Sequence, residues 1–305
     1  MKSPAKPFLN LLALLVVSAL LVGCRPRDQS ATQGTGGPAQ TVKGNYASIN
    51  GLKMYYEIHG TGRPLVLLHG ALCTIEACFG KTLPIFARTR QVIVVEQQAH
   101  GRTADIDRPL TTAQMAEDTV ALLRQLKIDN ADFFGYSMGA GIALQITLRY
   151  PDLVRKLVFA AAGYNLDGFH PGILAGIENL RPEDFAGSPW IEEYKKIAPD
   201  PNGFPRLLAR IKQQVGAFKG FPPEAVRSIK APTLIIIGDS DVIRPEHAVQ
   251  MFRLLGGGVA GDVAGLPRSQ LAVLPGTTHV TLADRADWLV SMAEEFLDAP
   301  MPKAK

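Results

Sequence analysis

Gly135-Tyr136-Ser137-Met138-Gly139 places one serine between two glycines, directly after the apolar run Asp132–Phe134 and before the helix-like stretch Ala140–Tyr150. In that setting G-x-S-x-G describes a hydroxyl held on a sharp strand-to-helix turn. Such a turn forces strained dihedrals on the serine, so its neighbours must be small. Gly135 and Gly139 supply that room, with Ala140 and Gly141 behind them. The helix N-terminus beneath adds free N–H groups and a positive dipole end. A serine becomes a nucleophile only beside a base, and in strand-turn-helix elbows of this kind the acid and the base come later in the chain, acid first. Gly238-Asp239-Ser240-Asp241 follows the apolar run Thr233–Ile237, and Gly276-Thr277-Thr278-His279 follows the last run, Leu271–Leu274. His279 is the expected base, taking the Ser137 proton and returning it to a leaving group. Asp241 and Asp239 compete for the acid role, and Asp167, after an earlier strand, ranks third.

Acyl transfer through a serine also needs two donors for the oxyanion. The Met138 N–H, directly after the nucleophile, is the first. His69-Gly70-Ala71-Leu72 lies at the end of another apolar run. Its glycine permits close approach, so the Ala71 N–H is the expected second donor, with Leu72 as the fallback. His59, His170 and His247 sit in no motif, and no histidine pair has metal-ligand spacing with a carboxylate. Neither a metal nor an organic cofactor is expected.

Apolar runs separated by helical segments must hold these residues. Asn50-Gly51 is a hairpin signal between Tyr46–Ile49 and Lys53–Ile58. Pro64–Leu68, Gln91–Val95, Asp132–Phe134, Leu157–Ala161, Thr233–Ile237 and Leu271–Leu274 read as buried strands. Runs this apolar are those of a parallel sheet covered by helices on both faces. Thr111 and Gln114 can form a capping box ahead of a stripe of Met115, Leu122 and Leu126. Leu289, Met292, Ala293 and Phe296 make a second stripe. From about 164 to 230 the pattern is rich in proline, glycine and aromatics, with helical stretches but no strand, and reads as a helical cap inserted after a strand.

The chain has 305 residues, 47% of them hydrophobic, with 32 basic against 28 acidic side chains and no long basic run. That composition fits one large domain and makes nucleic acid an improbable partner. Lys2 and Lys6 precede Leu9–Val22, whose fourteen apolar-rich residues reach about 21 Å as a helix, short of the roughly 30 Å bilayer core. Residues 1–23 therefore read as a secretory signal. They end in Leu21-Val22-Gly23-Cys24, which resembles the bacterial lipobox, so Cys24 is the expected lipidated N-terminus. Arg25 in place of an aspartate resembles sorting to the outer membrane, facing the periplasm. Residues 24–43 then form a polar linker, 44–299 the catalytic domain and 300–305 a tail. Cys73 and Cys78 could pair only if Cys73 precedes the helix; two free buried thiols are the expectation.

From about Tyr46 to Leu297 the sequence resembles the α/β-hydrolase superfamily, in its capped serine esterase and non-haem haloperoxidase-like branch. The resemblance rests on His69-Gly70, Gly101-Arg102-Thr103, Gly135–Gly139, Gly238–Asp241 and His279. It implies that Asp241, at the G-x-x-D position and followed by Pro245, is the acid. Serine rather than aspartate at the elbow argues against haloalkane dehalogenase and epoxide hydrolase chemistry. One loop departs from the family pattern Asp-x-Arg-Gly-His-Gly-x-Ser: here it reads Glu96-Gln97-Gln98-Ala99-His100-Gly101-Arg102-Thr103. A rewired hydrogen-bond network is the expected reason, although one of Glu96, Gln97 and Gln98 could face substrate. In such folds His69 and His100 stabilise loops. The implied activity is hydrolysis of a small-molecule carboxylic ester or related acyl substrate. C–C bond or lactone hydrolysis on the same three residues, and a low-turnover binding lipoprotein, are the alternatives.

Overall fold

A computed structural model describes residues 44–301. The expectations for residues 1–43, including the signal segment, Cys24 and the linker, lie outside the described residues, as does most of the tail. All eight expected runs are strands: β1 (Asn45–Ile49), β2 (Leu52–His59), β3 (Arg63–Leu68), β4 (Arg90–Val95), β5 (Ala131–Tyr136), β6 (Val154–Ala160), β7 (Thr233–Ser240) and β8 (Gln270–Thr278). They form one sheet in the order β1-β2-β4-β3-β5-β6-β7-β8. Only β1–β2 and β2–β4 pair antiparallel; β3 to β8 all run in one direction.

The chemistry of each residue explains its place. Asn50 and Gly51 both take positive φ, 50° and 80°, and pair Ile49 with Leu52 across the two-residue turn. Leu65–Leu68 and Val92–Val95 are fully buried because helices cover both faces of the parallel strands. At the foot of β5, Asp132 accepts two bonds from Arg155 of β6 and one from Arg90 of β4, at 2.7, 2.6 and 3.3 Å. Those bonds compensate a carboxylate with no solvent access, and they tie three strands together at the end opposite the serine.

Between β6 and β7 the described chain is helical, including Ile173–Asn179, Pro189–Ile197, Phe204–Ala217 and Pro223–Ser228, with no named strand. Its aromatics mostly meet one another. Phe185 packs on Phe204 at 5.4 Å and on Trp190 at 5.9 Å, and Tyr194 meets Phe204 at 5.6 Å. These rings join the hydrophobic core on one face of the sheet. Thr74 donates to Glu193 at 2.6 Å and Arg210 to Asp105 at 3.2 Å, fastening this segment to loops of the sheet.

Some expectations are corrected in detail. Thr111 does accept from the Gln114 N–H at 3.1 Å, but the Gln114 side chain donates to Asp118 instead of returning to Thr111, so half of the capping box forms. Gly141 has open space, its absent Cβ meeting only Thr112 at 3.9 Å, so the elbow does not require it. Cys73 precedes its helix, Ile75–Phe79, and both thiols are free as expected, but only Cys78 is buried, Cys73 being half-buried.

The departing loop after β4 is a buried network. Gln98 donates to Asp105 at 2.8 Å and accepts from Arg108 at 2.6 Å, while Gln97 donates to Thr119 at 3.1 Å. Glu96 accepts from Arg102 at 2.9 Å, and its burial pushes its carboxyl up to about 7 despite that bond. None of the three carries measurable solvent exposure beyond 1%, so none is presented to a ligand. Burial holds His69 down to about 4 and His100 to about 3, the latter reinforced by His69 beside it. Both rings are neutral when folded and gain protons on unfolding below their ordinary value of 6.5. They therefore stabilise the fold fully above that pH and progressively less as pH falls toward 4. Glu96 acts oppositely, its contribution fading as pH rises from its ordinary 4.5 through 7. His100→Gln, which keeps a donor for the Gln98 carbonyl, is expected to remove about 1.4 kcal/mol per pH unit from the slope of unfolding free energy between about pH 6 and 4. Urea titrations of both proteins across that range read it, and parallel slopes would refute a neutral buried ring.

Candidate functional site

Ser137 stands at the junction of β5 and the helix Met138–Arg149 with φ 54° and ψ −116°. That conformation costs about 1–3 kcal/mol for a residue with a side chain. Two glycines make it attainable. A Cβ at Gly135 would lie 2.4 Å from the Gly139 carbonyl, and one at Gly139 would lie 2.0 Å from the Leu68 carbonyl. The turn is thus pressed against β5 on one side and the end of β3 on the other, leaving the hydroxyl pointing out of the carboxyl edge of the sheet.

The ends of β7 and β8 meet it there. Ser137 Oγ is 2.9 Å from His279 Nε2, and His279 Nδ1 is 2.8 Å from Asp241 Oδ1. A carboxylate only accepts, so Nδ1 carries the proton and Nε2 offers its lone pair to the serine hydroxyl. The Asp241 side chain has no solvent access, whereas that of His279 is 22% exposed. Asp241 Oδ1 also accepts from the Ile243 N–H at 3.1 Å, which fixes the carboxylate from its own loop.

Asp239 is elsewhere. Its exposed carboxylate accepts from the N–H groups of Gly276 and Thr277 at 2.9 and 3.1 Å, and those bonds hold it below the usual carboxylate range. It braces the loop that presents His279 without touching the imidazole. Asp167 is also apart, its main-chain carbonyl accepting from Arg244 at 2.6 Å. Of the three aspartates, Asp241 is the one placed against His279.

Two further supports were not foreseen. The Tyr136 hydroxyl donates to the main-chain carbonyl of His279 at 2.7 Å, across 142 intervening residues, and its ring lies 5.6 Å from the imidazole. Burial pushes that phenol well up, so it remains a donor. Thr278 and Thr281 exchange bonds, each main-chain N–H donating to the other's hydroxyl at 2.9 and 3.2 Å. The residues in the nucleophile motif gave no sign of this, because x in G-x-S-x-G carries no directional information.

The third wall is the loop after β3. A Cβ on Gly70 would lie 3.0 Å from the Tyr136 ring and 3.4 Å from Ser137 Cβ, so this loop runs directly past the elbow. His69 Nε2 accepts from the Gln97 N–H at 3.0 Å, leaving Nδ1–H to donate to the Gly70 carbonyl at 2.8 Å. The Gly70 carbonyl and the Ala71 N–H share one trans peptide and point in opposite directions, so this bond sets where the Ala71 N–H is aimed. Cys78 Sγ accepts the Gly70 N–H at 3.4 Å, and burial keeps that thiol protonated. Among the described residues the N–H groups of Ala71, Leu72 and Met138 meet no acceptor. No group of three or more His, Cys, Asp or Glu side chains arranged to hold a metal occurs among the described residues.

Comparison with known proteins agrees with this architecture. The Alpha/beta hydrolase family matches residues 65–292. A human serine hydrolase is 26% identical over 93% of this chain and 95% of its own length. The 2-hydroxymuconate semialdehyde hydrolase of a Pseudomonas species is 26% identical over 81% of this chain and 91% of its own. Among solved structures, the meta-cleavage product hydrolase from Pseudomonas fluorescens shares the fold, with a TM-score of 0.63 and 20% identity over 84% of this chain and 97% of that one. The sheet order, the elbow serine and the family match lead to one conclusion: the chain belongs to the α/β hydrolase family.

Proposed function

We propose that Ser137, His279 and Asp241 form a catalytic triad that cleaves a carboxylic ester or related small acyl substrate through an acyl-serine intermediate. The observation carrying this reading is the unbroken run of hydrogen bonds from the serine hydroxyl through the imidazole to a buried carboxylate. Ser137 Oγ attacks the acyl carbon as His279 Nε2 takes its proton; Asp241 holds the tautomer and stabilises the imidazolium that forms. The N–H groups of Ala71 and Met138 receive the negative charge on the carbonyl oxygen. His279 returns the proton to the leaving alcohol, then activates a water that releases the acyl group and restores Ser137. No metal or organic cofactor enters these steps.

The relative named 2-hydroxymuconate semialdehyde hydrolase makes C–C bond hydrolysis the second reading, with lactone opening beside it, since the same three residues serve all of them. A merely binding role is disfavoured, because a strained serine held against an imidazole has no use in passive binding. Ser137→Ala is expected to abolish fluorophosphonate labelling and to lower ester turnover by about 10⁶-fold. A panel of nitrophenyl esters measures it, with vinylogous diketones as the competing substrates; labelling that persists in the variant would displace Ser137 as nucleophile.

Tyr136→Phe deletes only the hydroxyl that holds the His279 carbonyl. A misplacement of about 1 Å costs on the order of 100-fold, so kcat should fall by about 10- to 100-fold with KM nearly unchanged. Unaltered kcat would show that the histidine loop is set without it.

We further propose that Cys24 is lipidated after removal of residues 1–23, tethering the hydrolase to the cell envelope, with the outer membrane facing the periplasm as its station. Support comes from the apolar run that stops at that cysteine. Cys24→Ala should abolish incorporation of labelled palmitate, and undiminished labelling would refute the anchor.

A further inference from the structure

The two most exposed large apolar side chains of the described residues lie three positions apart, Val263 at 89% and Leu266 at 90%. They sit in a glycine-rich excursion, Gly256-Gly257-Gly258-Val259-Ala260-Gly261-Asp262-Val263-Ala264-Gly265-Leu266, which joins the helix Pro245–Leu254 to β8. Val259, 49% exposed, belongs to the same protrusion. Nothing in the fold uses these groups, since the short turn Gly261–Ala264 buries none of its residues. Exposed apolar groups gathered in one short segment are candidates for a contact surface.

Strand polarity says which face they occupy. The parallel strands carry Ala71, Ser137, Asp241 and His279 at or just past their carboxyl ends. The excursion ends where β8 begins, so it lies at the amino edge, on the opposite side of the sheet. β1 is antiparallel to β2, which is antiparallel to β4, so β1 runs with the parallel set and Asn45 also enters at the amino edge. The chain arriving from Cys24 and the apolar excursion thus leave the domain on the same face. Residues 25–43 carry almost nothing to bury, and a chain of that length spans about 24 Å on average. The eight-stranded sheet is about 34 Å wide, so a tether at the β1 side leaves the β8 side close to the surface.

Charge around the excursion is of the sign that an anionic surface takes. Lys230 before β7, Arg253 at the end of its helix and Arg268 before β8 are all exposed. Arg268 donates to the Lys230 carbonyl at 3.1 Å, holding the two together, and Asp262 is the one acid within 256–268.

From these observations we infer that the 256–267 excursion is a membrane-docking element: Val259, Val263 and Leu266 enter an anionic lipid surface, the amino edge of the sheet faces the bilayer and the catalytic edge faces away from it. This rests on the lipid-anchor reading, which the test separates. The full chain as cells process it, carrying Leu266→Trp, is incubated with phosphatidylethanolamine–phosphatidylglycerol vesicles whose acyl chains bear bromine, a quencher of indole emission. The emission added over the parent protein, which contains Trp190 and Trp288, should be lost in brominated vesicles and retained in unbrominated ones. Ester turnover in detergent should match the parent, showing an intact fold. Mass spectrometry of the N-terminal peptide from the same sample reports acylation. Quenching without acyl groups upholds the docking element and removes the tether. Acyl groups without quenching overturn the docking element and keep the tether, and absence of both overturns both.

Discussion

Ser137 holds a left-handed backbone conformation because the chain reverses there from strand to helix with almost no room. The same crowding that strains it also builds the site. Gly139 lies so close to the Leu68 carbonyl that even a methyl would overlap it, which brings the end of β3 against the elbow. The loop leaving β3 therefore passes the serine, with Gly70 directly beside it. A single steric constraint exposes the hydroxyl, strips its flanks of side chains and brings the loop after β3 alongside it.

Three strands that are distant in sequence must then agree on one geometry. The imidazole is positioned from its main chain as well as its ring: Asp239 holds the two residues before Thr278, the Thr278–Thr281 pair closes the turn, and Tyr136 holds the His279 carbonyl. Asp241 contributes from the end of β7, shielded from water, its Oδ1 shared between the Ile243 N–H and the imidazole. Their convergence at one sheet edge follows from parallel strands, whose carboxyl ends all open on the same side.

Much of this was legible in the residues. The eight strands declare themselves because doubly buried strands are continuous apolar runs, and Ser137, Asp241 and His279 occupy strand-to-loop junctions in a fixed chain order. What escaped depends on side-chain direction. Tyr136 looked like filler inside the motif, yet its hydroxyl reaches a carbonyl on the far side of the chain. Asp239 looked like a rival acid because both aspartates follow the same strand; only the path of the turn separates a brace from a partner. Gln114 chose Asp118 over the cap because a buried carboxylate is the stronger acceptor. The aromatic composition of the β6–β7 insertion marks it as a cap but says nothing of side-chain direction, and several of its rings pack against each other.

The central claim is that one hydroxyl, one imidazole and two main-chain donors act together on one acyl group. A crystal structure of the enzyme inactivated by an alkyl phosphonate tests it most directly. The account predicts phosphorus bonded to Ser137 Oγ, with the phosphoryl oxygen within hydrogen-bond distance of the Ala71 and Met138 N–H groups and His279 Nε2 still facing the ester oxygen. An adduct on another residue, or a phosphoryl oxygen turned to solvent with both amides unengaged, would contradict it.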